Sequence, residues 1–254
     1  MTTLRDKVVV ITGAGRGQGL EELRTVAAEG GVPVAVDLEL GEEARSVAAL
    51  WREADVSDRS SWAELASTIA DTYGRADGLV NNAAIGARMP LLEVSAEQWD
   101  RALAVNLTGP LLAMQAIVPL MTEGGSVVNV ASIAGLMGMR PTAYTASKWG
   151  LRGLSKLAAN ELGDRAVRVN TVLPGYIDTP LVRQNPERFR IASLQQIPLG
   201  RLGEVTDVAP LVAFLLGDDA RWITGAEIVV DGGQTAHGGS RLLVGPFPAD
   251  GEDA

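Results

Sequence analysis

The chain of 254 residues contains no cysteine and only one histidine, His237. These absences exclude disulfide bonds, a thiolate nucleophile and a cysteine-ligated metal, and they argue against zinc-dependent alcohol oxidation. Basic residues are also fewer than acidic ones: the chain has 22 Lys and Arg against 31 Asp and Glu, which gives a formal net charge of −9. That charge argues against nucleic acid, anionic membranes and acidic carrier proteins as electrostatic partners. Small-molecule chemistry is the class that remains.

Long apolar runs are missing as well. No uninterrupted stretch approaches the ~20 residues that a helix needs to span a bilayer, and residues 1–6 lack the apolar core of a signal peptide. We therefore expect a cytoplasmic protein without a membrane partner. With 46% hydrophobic residues the chain is long enough to bury one substantial core, so a single domain is the economical interpretation.

Apolar, strand-like runs alternate with helical patterns along the chain. This alternation predicts an α/β fold, with a seven-stranded parallel sheet that is doubly wound by helices on both faces. The helices are expected near 96–122, 143–162 and 205–217, and the strands near 7–12, 32–36, 52–55, 77–81, 125–131, 166–173 and 226–230. The domain would cover residues 1–233. In the tail, 234–254, an apolar centre (Leu242, Leu243, Val244, Phe247) favours packing on a neighbouring subunit, with fraying at the end.

A glycine-rich loop, residues 13–19 (GAGRGQG), follows the first strand-like run and precedes a helical pattern. This order is typical of a pyrophosphate site, because glycines let backbone N–H groups approach the anion and a helix N-terminus favours its charge. The next strand ends at Asp37, where a carboxylate accepts hydrogen bonds from a ribose diol and repels a 2′-phosphate. NAD is therefore favoured over NADP, although Arg16 in the loop would offset part of the preference.

Tyr144 and Lys148 lie four positions apart in a predicted helix and so share one face. A phenol titrates near ~10 in water, and a neighbouring cation lowers that pKa by favouring the phenolate. Such a pair also arises by chance on amphipathic helices, and Ser132 and Asn106 taken singly often satisfy local backbone groups. The four residues together favour an acid/base assembly.

Taken together, these motifs resemble those of the classical short-chain dehydrogenase/reductase family, over residues 7–233. The resemblance implies a Rossmann fold, an oxidoreductase and a homotetramer assembled through helices 96–122 and 143–162 and the last strand. A further likeness, to bacterial hydroxysteroid dehydrogenases, rests on residues 135–138 (GLMG) and 146–159. The matching family segments are 12–19, 81–84 (NNAA), 174–179 (PGYIDT) and 230–233 (VDGG), together with Asn106, Ser132, Tyr144 and Lys148.

The resemblance also implies a role for each catalytic residue. Tyr144 would exchange a proton with the substrate oxygen while a hydride passes between the substrate carbon and the nicotinamide. Lys148 would lower the pKa of the tyrosine and hold the nicotinamide ribose. Ser132 would hydrogen-bond the substrate oxygen, and Asn106 would order a water leading from Lys148 towards solvent. No metal is predicted, and the implied cofactor contacts are Gly13, Arg16, Gly17, Gln18, Gly19, Asp37, Leu38, Asp55, Val56, Asn82, Ala83, Ala84, Tyr144, Lys148, Pro174, Gly175, Ile177 and Thr179.

The chain departs from the family pattern at several places. The segment from Ser132 to Tyr144 is one residue shorter than usual, which predicts a tightened loop at 138–141. Gln18 stands where an aliphatic residue is common, and Glu21 and Glu22 replace small or apolar helix residues. The connection between Asp37 and Asp55 is also short.

The expected substrate side is apolar and rich in flexible methionines, which favours a bulky, steroid-like ketone or secondary alcohol. The candidate substrate contacts are Ile85, Met89, Ile133, Leu136, Met137, Met139, Tyr176 and the lid-like segment 181–197. Plain core packing is the alternative for about half of them. Arg183, Arg188 and Arg190 either bind an acidic substrate or are merely solvated. The alternative functions are an NADPH-dependent ketoreductase of a biosynthetic pathway and a nucleotide-sensing pseudoenzyme.

Overall fold

The computed structural model describes residues 4–86, 89–122, 124–183 and 186–240. Seven parallel strands form one sheet in the order β3-β2-β1-β4-β5-β6-β7, which confirms the predicted fold class. The strands are β1 (Val8–Thr12), β2 (Val32–Asp37), β3 (Leu50–Glu53), β4 (Gly78–Asn81), β5 (Gly125–Val130), β6 (Val167–Pro174) and β7 (Glu227–Val230). The strand order reverses between β1 and β4, so their carboxyl ends open a crevice at a topological switch point.

Helices cover both faces of the sheet. They are α1 (Gly17–Ala28), α2 (Glu42–Val47), α3 (Arg59–Tyr73), α4 (Ala96–Leu103), α5 (Gly109–Ile117), α6 (Thr142–Glu161), α7 (Pro180–Arg183), α8 (Glu187–Gln196) and α9 (Val205–Leu216). Successive β1 residues point to opposite faces, as the strand period requires. Val10 belongs to the core under α3 and α5, whereas Ile11 belongs to the core under α1 and α9.

The third strand was predicted at 52–55, but β3 runs over Leu50–Glu53. Its pairing with β2 runs from Val34 with Leu50 to Asp37 with Glu53. This edge strand pairs on one side only and is at most half-buried, so its sequence lacks the continuous apolar run that marks the central strands. As a consequence Asp55 lies beyond the strand, in the loop that faces the crevice.

The long helix predicted over 96–122 is helical from Ala96 to Leu120, with one π turn at Ala104–Thr108 between α4 and α5 and a 3₁₀ turn at Val118–Leu120. The π turn carries Asn106, and such turns are frequent at functional sites. By length and composition this helix could cross a bilayer, although half of its most apolar window is buried inside the protein. Its apolar character follows from packing on the sheet.

Residues 234–240 contact the body of the protein. Gln234 is buried, and His237 Nε2 lies 2.7 Å from the carbonyl oxygen of Gln196, at the end of α8. The predicted apolar centre of the tail (Leu242, Leu243, Val244, Phe247) lies outside the described residues. Its packing therefore stays a prediction.

Candidate active site

The glycine loop is fixed to the end of β4 by one hydroxyl. Thr12 Oγ1 accepts hydrogen bonds from the backbone N–H groups of Asn82 (3.0 Å) and Ala83 (3.1 Å) and donates to the carbonyl oxygen of Val80 (3.2 Å). In return, Asn82 Nδ2 donates to the carbonyl oxygens of Thr12 (3.0 Å) and Gly13 (3.3 Å). The two strand ends that flank the crevice are thus held together.

Two glycines of the loop have steric reasons to be glycine. Gly13 has φ +67°, and a Cβ added there would lie 2.8 Å from Asn82 Nδ2. A Cβ on Gly19 would lie 2.1 Å from the carbonyl oxygen of Gly13. Gly19 therefore lets α1 pack tightly beneath the loop, while the first turn of α1 directs its N–H groups to the crevice.

A cavity of about 340 Å³ opens over the carboxyl ends of the strands. Most of the predicted site residues line it. Gly19 and Asn106 do not: Gly19 lies beneath the glycine loop, and Asn106 lies behind the residues that line the cavity. The predicted residues that line it are Gly13, Arg16, Gly17, Gln18, Asp37, Leu38, Asp55, Val56, Asn82, Ala83, Ala84, Ser132, Tyr144, Lys148, Pro174, Gly175, Ile177 and Thr179.

At one end of the cavity Asp37 closes β2. Its Oδ2 accepts a hydrogen bond from the backbone N–H of Gly15 at 2.8 Å, while its Oδ1 has only a long contact, 3.4 Å, with the N–H of Glu39. The carboxylate is thus oriented by the glycine loop with acceptor capacity left over. Arg16 lines the same region and is exposed.

Asp55 is held by its own turn and by an arginine that sequence reasoning missed. The Asp55 carboxylate accepts from the Ser57 N–H (2.9 Å) and hydroxyl (2.7 Å), and pairs with Arg101 Nη2 at 2.7 Å. Burial acts to raise the pKa of Asp55, but the Ser57 and Arg101 bonds outweigh it and hold that pKa below its ordinary value. Arg101 comes from α4, far along the chain, and no local pattern marks it.

The proton-transfer residues converge at the other end. Ser132 follows β5, Tyr144 and Lys148 share one face of α6, and the Ser132 side chain is close enough to Tyr144 to act on the pKa of its hydroxyl. The shortened segment between Ser132 and Tyr144 therefore still places both residues at the same cavity. Lys148 Nζ donates to the carbonyl oxygen of Val130 at 2.7 Å and lies 5.6 Å from the centre of the Tyr144 ring.

The pKa of Tyr144 is shifted upwards, opposite to the direction that the resemblance implies. Burial raises the pKa of Tyr144, and the influence of the Ser132 side chain offsets only part of the effect. Burial also lowers the pKa of Lys148 to about 7, since the residue is 2% exposed and its ammonium donates to an uncharged carbonyl group. Burial is thus the largest influence on the pKa of each group, and a lowering of the tyrosine pKa by Lys148 stays a prediction.

Asn106 connects two segments next to the cavity through its side-chain amide. Its Oδ1 accepts from the N–H of Ile85 (2.9 Å), and its Nδ2 donates to the carbonyl of Ile85 (3.0 Å) and to Ser147 Oγ (3.1 Å). The amide therefore clamps the loop after β4 to α6, next to Lys148. A water ordered by Asn106 stays a prediction.

The substrate side is less apolar than predicted. Ile85, Pro180 and Val182 line the cavity. Ile133 is 1% exposed and buried, so for this residue core packing, the alternative, replaces the predicted substrate contact. The predicted contacts that do not line the cavity are Met89, Ile133, Leu136, Met137, Met139 and Tyr176.

Two of the three arginines of the lid-like segment pair with carboxylates of the same chain. Arg183 pairs with Asp178 (2.8 Å) and Arg190 with Glu187 (2.8 Å), while Arg188 is exposed. Tyr176 makes an edge-to-face contact with Phe189, with ring centres 4.9 Å apart. Intramolecular pairing therefore accounts for two of the three arginines, without an acidic substrate.

The sequence and the fold both match known proteins. A family model described as enoyl-(acyl carrier protein) reductase matches residues 13–235. The chain is 38% identical over 248 residues to a trans-4-hydroxycyclohexanecarboxylate dehydrogenase of Sinomonas cyclohexanicum, covering 91% of this chain and 93% of the relative. It is also 38% identical over 239 residues to a 3-alpha-(or 20-beta)-hydroxysteroid dehydrogenase of Mycobacterium bovis, covering 91% and 90%. The crystal structure of levodione reductase superposes with a TM-score of 0.87 at 33% identity, covering 92% of this chain and 99% of that one.

The chain belongs to the classical short-chain dehydrogenase/reductase family. It is an oxidoreductase of alcohols and ketones that uses a nicotinamide cofactor. The geometry fits such a cofactor, because the dinucleotide site of this family needs an anion-binding loop, an acid at the end of β2 and proton-transfer groups in one crevice. All three line the same cavity. Gly13, Gly17 and Gln18 would face the pyrophosphate, and Thr179 would face the nicotinamide.

Proposed function

We propose that this short-chain dehydrogenase/reductase transfers a hydride between NAD(H) and a bulky, apolar secondary alcohol or ketone of steroid-like size. The observation that carries the cofactor choice is the position of Asp37, which closes β2 at the cavity and is oriented by the Gly15 N–H. Proton-transfer groups occupy the far end of the same cavity, which supports turnover rather than nucleotide sensing.

The nicotinamide, when bound, supplies or accepts the hydride. In the direction of reduction, the Tyr144 hydroxyl gives its proton to the substrate carbonyl oxygen, and in oxidation it takes that proton back. Ser132, which lines the same cavity as Tyr144, donates to the same oxygen and stabilises the charge that develops there. Lys148, with its pKa lowered to about 7 by burial, is poised to replace the tyrosine proton near neutral pH.

Discrimination between the cofactors follows from charge. A 2′-phosphate beside the Asp37 carboxylate meets like charge at close range, which costs on the order of 1–4 kcal/mol at partly screened separations. That range corresponds to a preference for NADH of roughly ten- to several-hundred-fold. Arg16 lines the same end of the cavity and acts in the opposite direction.

The steroid-like substrate class rests on the apolar contacts of the cavity and on the likeness to a hydroxysteroid dehydrogenase. Ile85, Pro180 and Val182 supply apolar surface to the cavity that Ser132 and Tyr144 also line. Since Arg183 and Arg190 are paired with Asp178 and Glu187, a neutral substrate is favoured over an acidic one.

A second candidate is an NADPH-dependent ketoreductase of a biosynthetic pathway, and the exposed Arg16 at the cavity favours it. The two are separated by kcat/KM with NADH and NADPH, measured over a panel of ketones and secondary alcohols by nicotinamide absorbance. We expect higher kcat/KM with NADH, and we expect Asp37→Ser to narrow or invert the ratio by improving NADPH. Asp164→Ser, which removes an exposed acid in the turn after α6, is the matched control and should leave the ratio unchanged. A wild-type preference for NADPH would place the ketoreductase first.

We also propose that the protein assembles as a homotetramer through α4, α5, α6 and the last strand. Large apolar side chains on these elements are exposed in the single chain, at 47% for Trp149, 53% for Leu157 and 39% for Val229. Exposed apolar clusters of this kind favour contact with another copy of the chain.

A further inference from the structure

A polar network is buried beneath the glycine loop. Glu22 on α1 is 1% exposed, and its Oε1 accepts a hydrogen bond from Gln18 Nε2 at 2.9 Å. Its Oε2 has no hydrogen-bond partner within the described part of the chain. The same Gln18 nitrogen also donates to Asn82 Oδ1 at 3.2 Å. The Gln18 amide is therefore anchored between two acceptors.

This network reaches the cofactor site through two routes. Gln18 itself lines the cavity in the first turn of α1. Asn82, its second acceptor, also lines the cavity and donates to the carbonyl oxygens of Thr12 and Gly13. Any change in the Gln18 side chain is thus passed both to the helix N-terminus and to the entry of the glycine loop.

A carboxyl group in this place is costly in stability. A buried polar group with few partners destabilises the fold relative to an apolar side chain of similar size. Burial raises the pKa of Glu22 to about 8, and the Gln18 hydrogen bond lowers it by a smaller amount. The carboxyl is therefore mostly protonated at neutral pH, which keeps a negative charge away from a loop that binds an anion.

We propose that Glu22 is a positioning residue for the site of the cofactor pyrophosphate. Glu22 holds the Gln18 side chain, and through Gln18 it keeps Asn82 and the glycine loop in the geometry that binds the cofactor. The proposal rests on dinucleotide binding at this cavity. It gives Glu22 a role although its side chain does not line the cavity.

The charged groups around α1 leave Glu22 as the titrating group of this network. Arg24 pairs with Glu21 on α1 and with Glu43 on α2, on the exposed side. Of the other elements that pack against α1, β1 has no charged residue, and β2 carries Asp37, which is bound to the Gly15 N–H. Helix α2 also carries Glu42 and Arg45, and Arg45 pairs with Glu53. Helix α9 carries Asp207, which pairs with Arg201. Burial and the Gln18 hydrogen bond account for the shifted pKa of Glu22.

The test is a set of NADH titrations, followed by tryptophan and NADH fluorescence, on the full-length protein. Glu22→Leu and Gln18→Leu should each weaken NADH binding about three- to tenfold, the range expected for loss of one ordered hydrogen bond. The double variant should be no weaker than Gln18→Leu alone, because Glu22 acts through Gln18. Glu22→Gln, which keeps the acceptor oxygen, should stay within about twofold of wild type at pH 7.

A pH series and a stability control separate positioning from simple packing. From pH 7 to pH 9 the wild-type Kd for NADH should rise relative to that of Glu22→Gln, which has no group to ionise. Ser126→Ala, which removes a buried hydroxyl bonded to the Leu215 carbonyl away from the loop, should lower the melting temperature and leave the Kd unchanged.

Unchanged NADH affinity in Glu22→Leu, or additive losses in the double variant, would overturn the positioning role. If wild type bound neither NADH nor NADPH, the proposed function would fail instead. The two failures are therefore distinguishable.

Discussion

The hydroxyl of Thr12 offers a quantitative test of how the two halves of the sheet are joined at the cofactor crevice. Thr12→Val preserves the shape of the side chain but removes an acceptor for the N–H groups of Asn82 and Ala83 and a donor to the Val80 carbonyl. Thr12 is 2% exposed, so water cannot readily replace the lost hydroxyl. Leaving a buried donor unsatisfied costs ~1–3 kcal/mol. Two donors lose their acceptor, but Asn82 and Ala83 are only half-buried, so we expect a total loss of about 2–4 kcal/mol in the free energy of unfolding.

For a protein of this size that loss corresponds to a melting temperature lower by roughly 4–16 °C. The measurement is a thermal melt of the cofactor-free protein followed by circular dichroism, with NADH affinity determined on the same samples. NADH binding should weaken as well, since Asn82 and Ala83 line the cavity. Thr12→Ser is the matched control: it retains the hydroxyl and should lose only about 1 kcal/mol for the missing methyl group. A melting temperature of Thr12→Val within 1 °C of wild type would refute this account of the strand junction.

Three further predictions concern the proton, the lysine and the assembly. Tyr144→Phe should lose nearly all turnover, while its affinity for NADH stays within a few-fold of wild type. Retained turnover would show that Tyr144 is not the proton donor. The pKa of Lys148 is about 7 in the folded protein, whereas its ordinary value, which applies to the unfolded chain, is 10.5. Between these two pH values the unfolded chain binds more protons than the folded protein, so the free energy of unfolding should rise with pH. Lys148→Met should make that rise shallower in cofactor-free melts between pH 7 and 10, and an unaltered slope would contradict the burial of a mostly neutral lysine. Light scattering at micromolar concentration should give a tetramer mass, and a monomer mass would exclude the proposed assembly.

Much of the site was predictable from sequence because its signals are local. The order strand, glycine loop, helix fixes where α1 begins and where its N–H groups point, so residues 13–19 could be placed without a structure. The four-residue spacing of Tyr144 and Lys148 fixes their common face on α6 in the same way. The central strands were placed within a few residues because they are buried on both faces and read as continuous apolar runs.

Only the tertiary structure decided the electrostatics and the long-range partners. Burial depends on what surrounds a group in space, so neither the lowered pKa of Lys148 nor the raised pKa of Tyr144 and Glu22 follows from spacing along the chain. The same holds for the pairing of Arg101 with Asp55 and for the core position of Ile133. The sequence by itself determined which chemistry the crevice carries. Packing determined the charge state of that chemistry, because desolvation is a property of the folded neighbourhood and not of the residue.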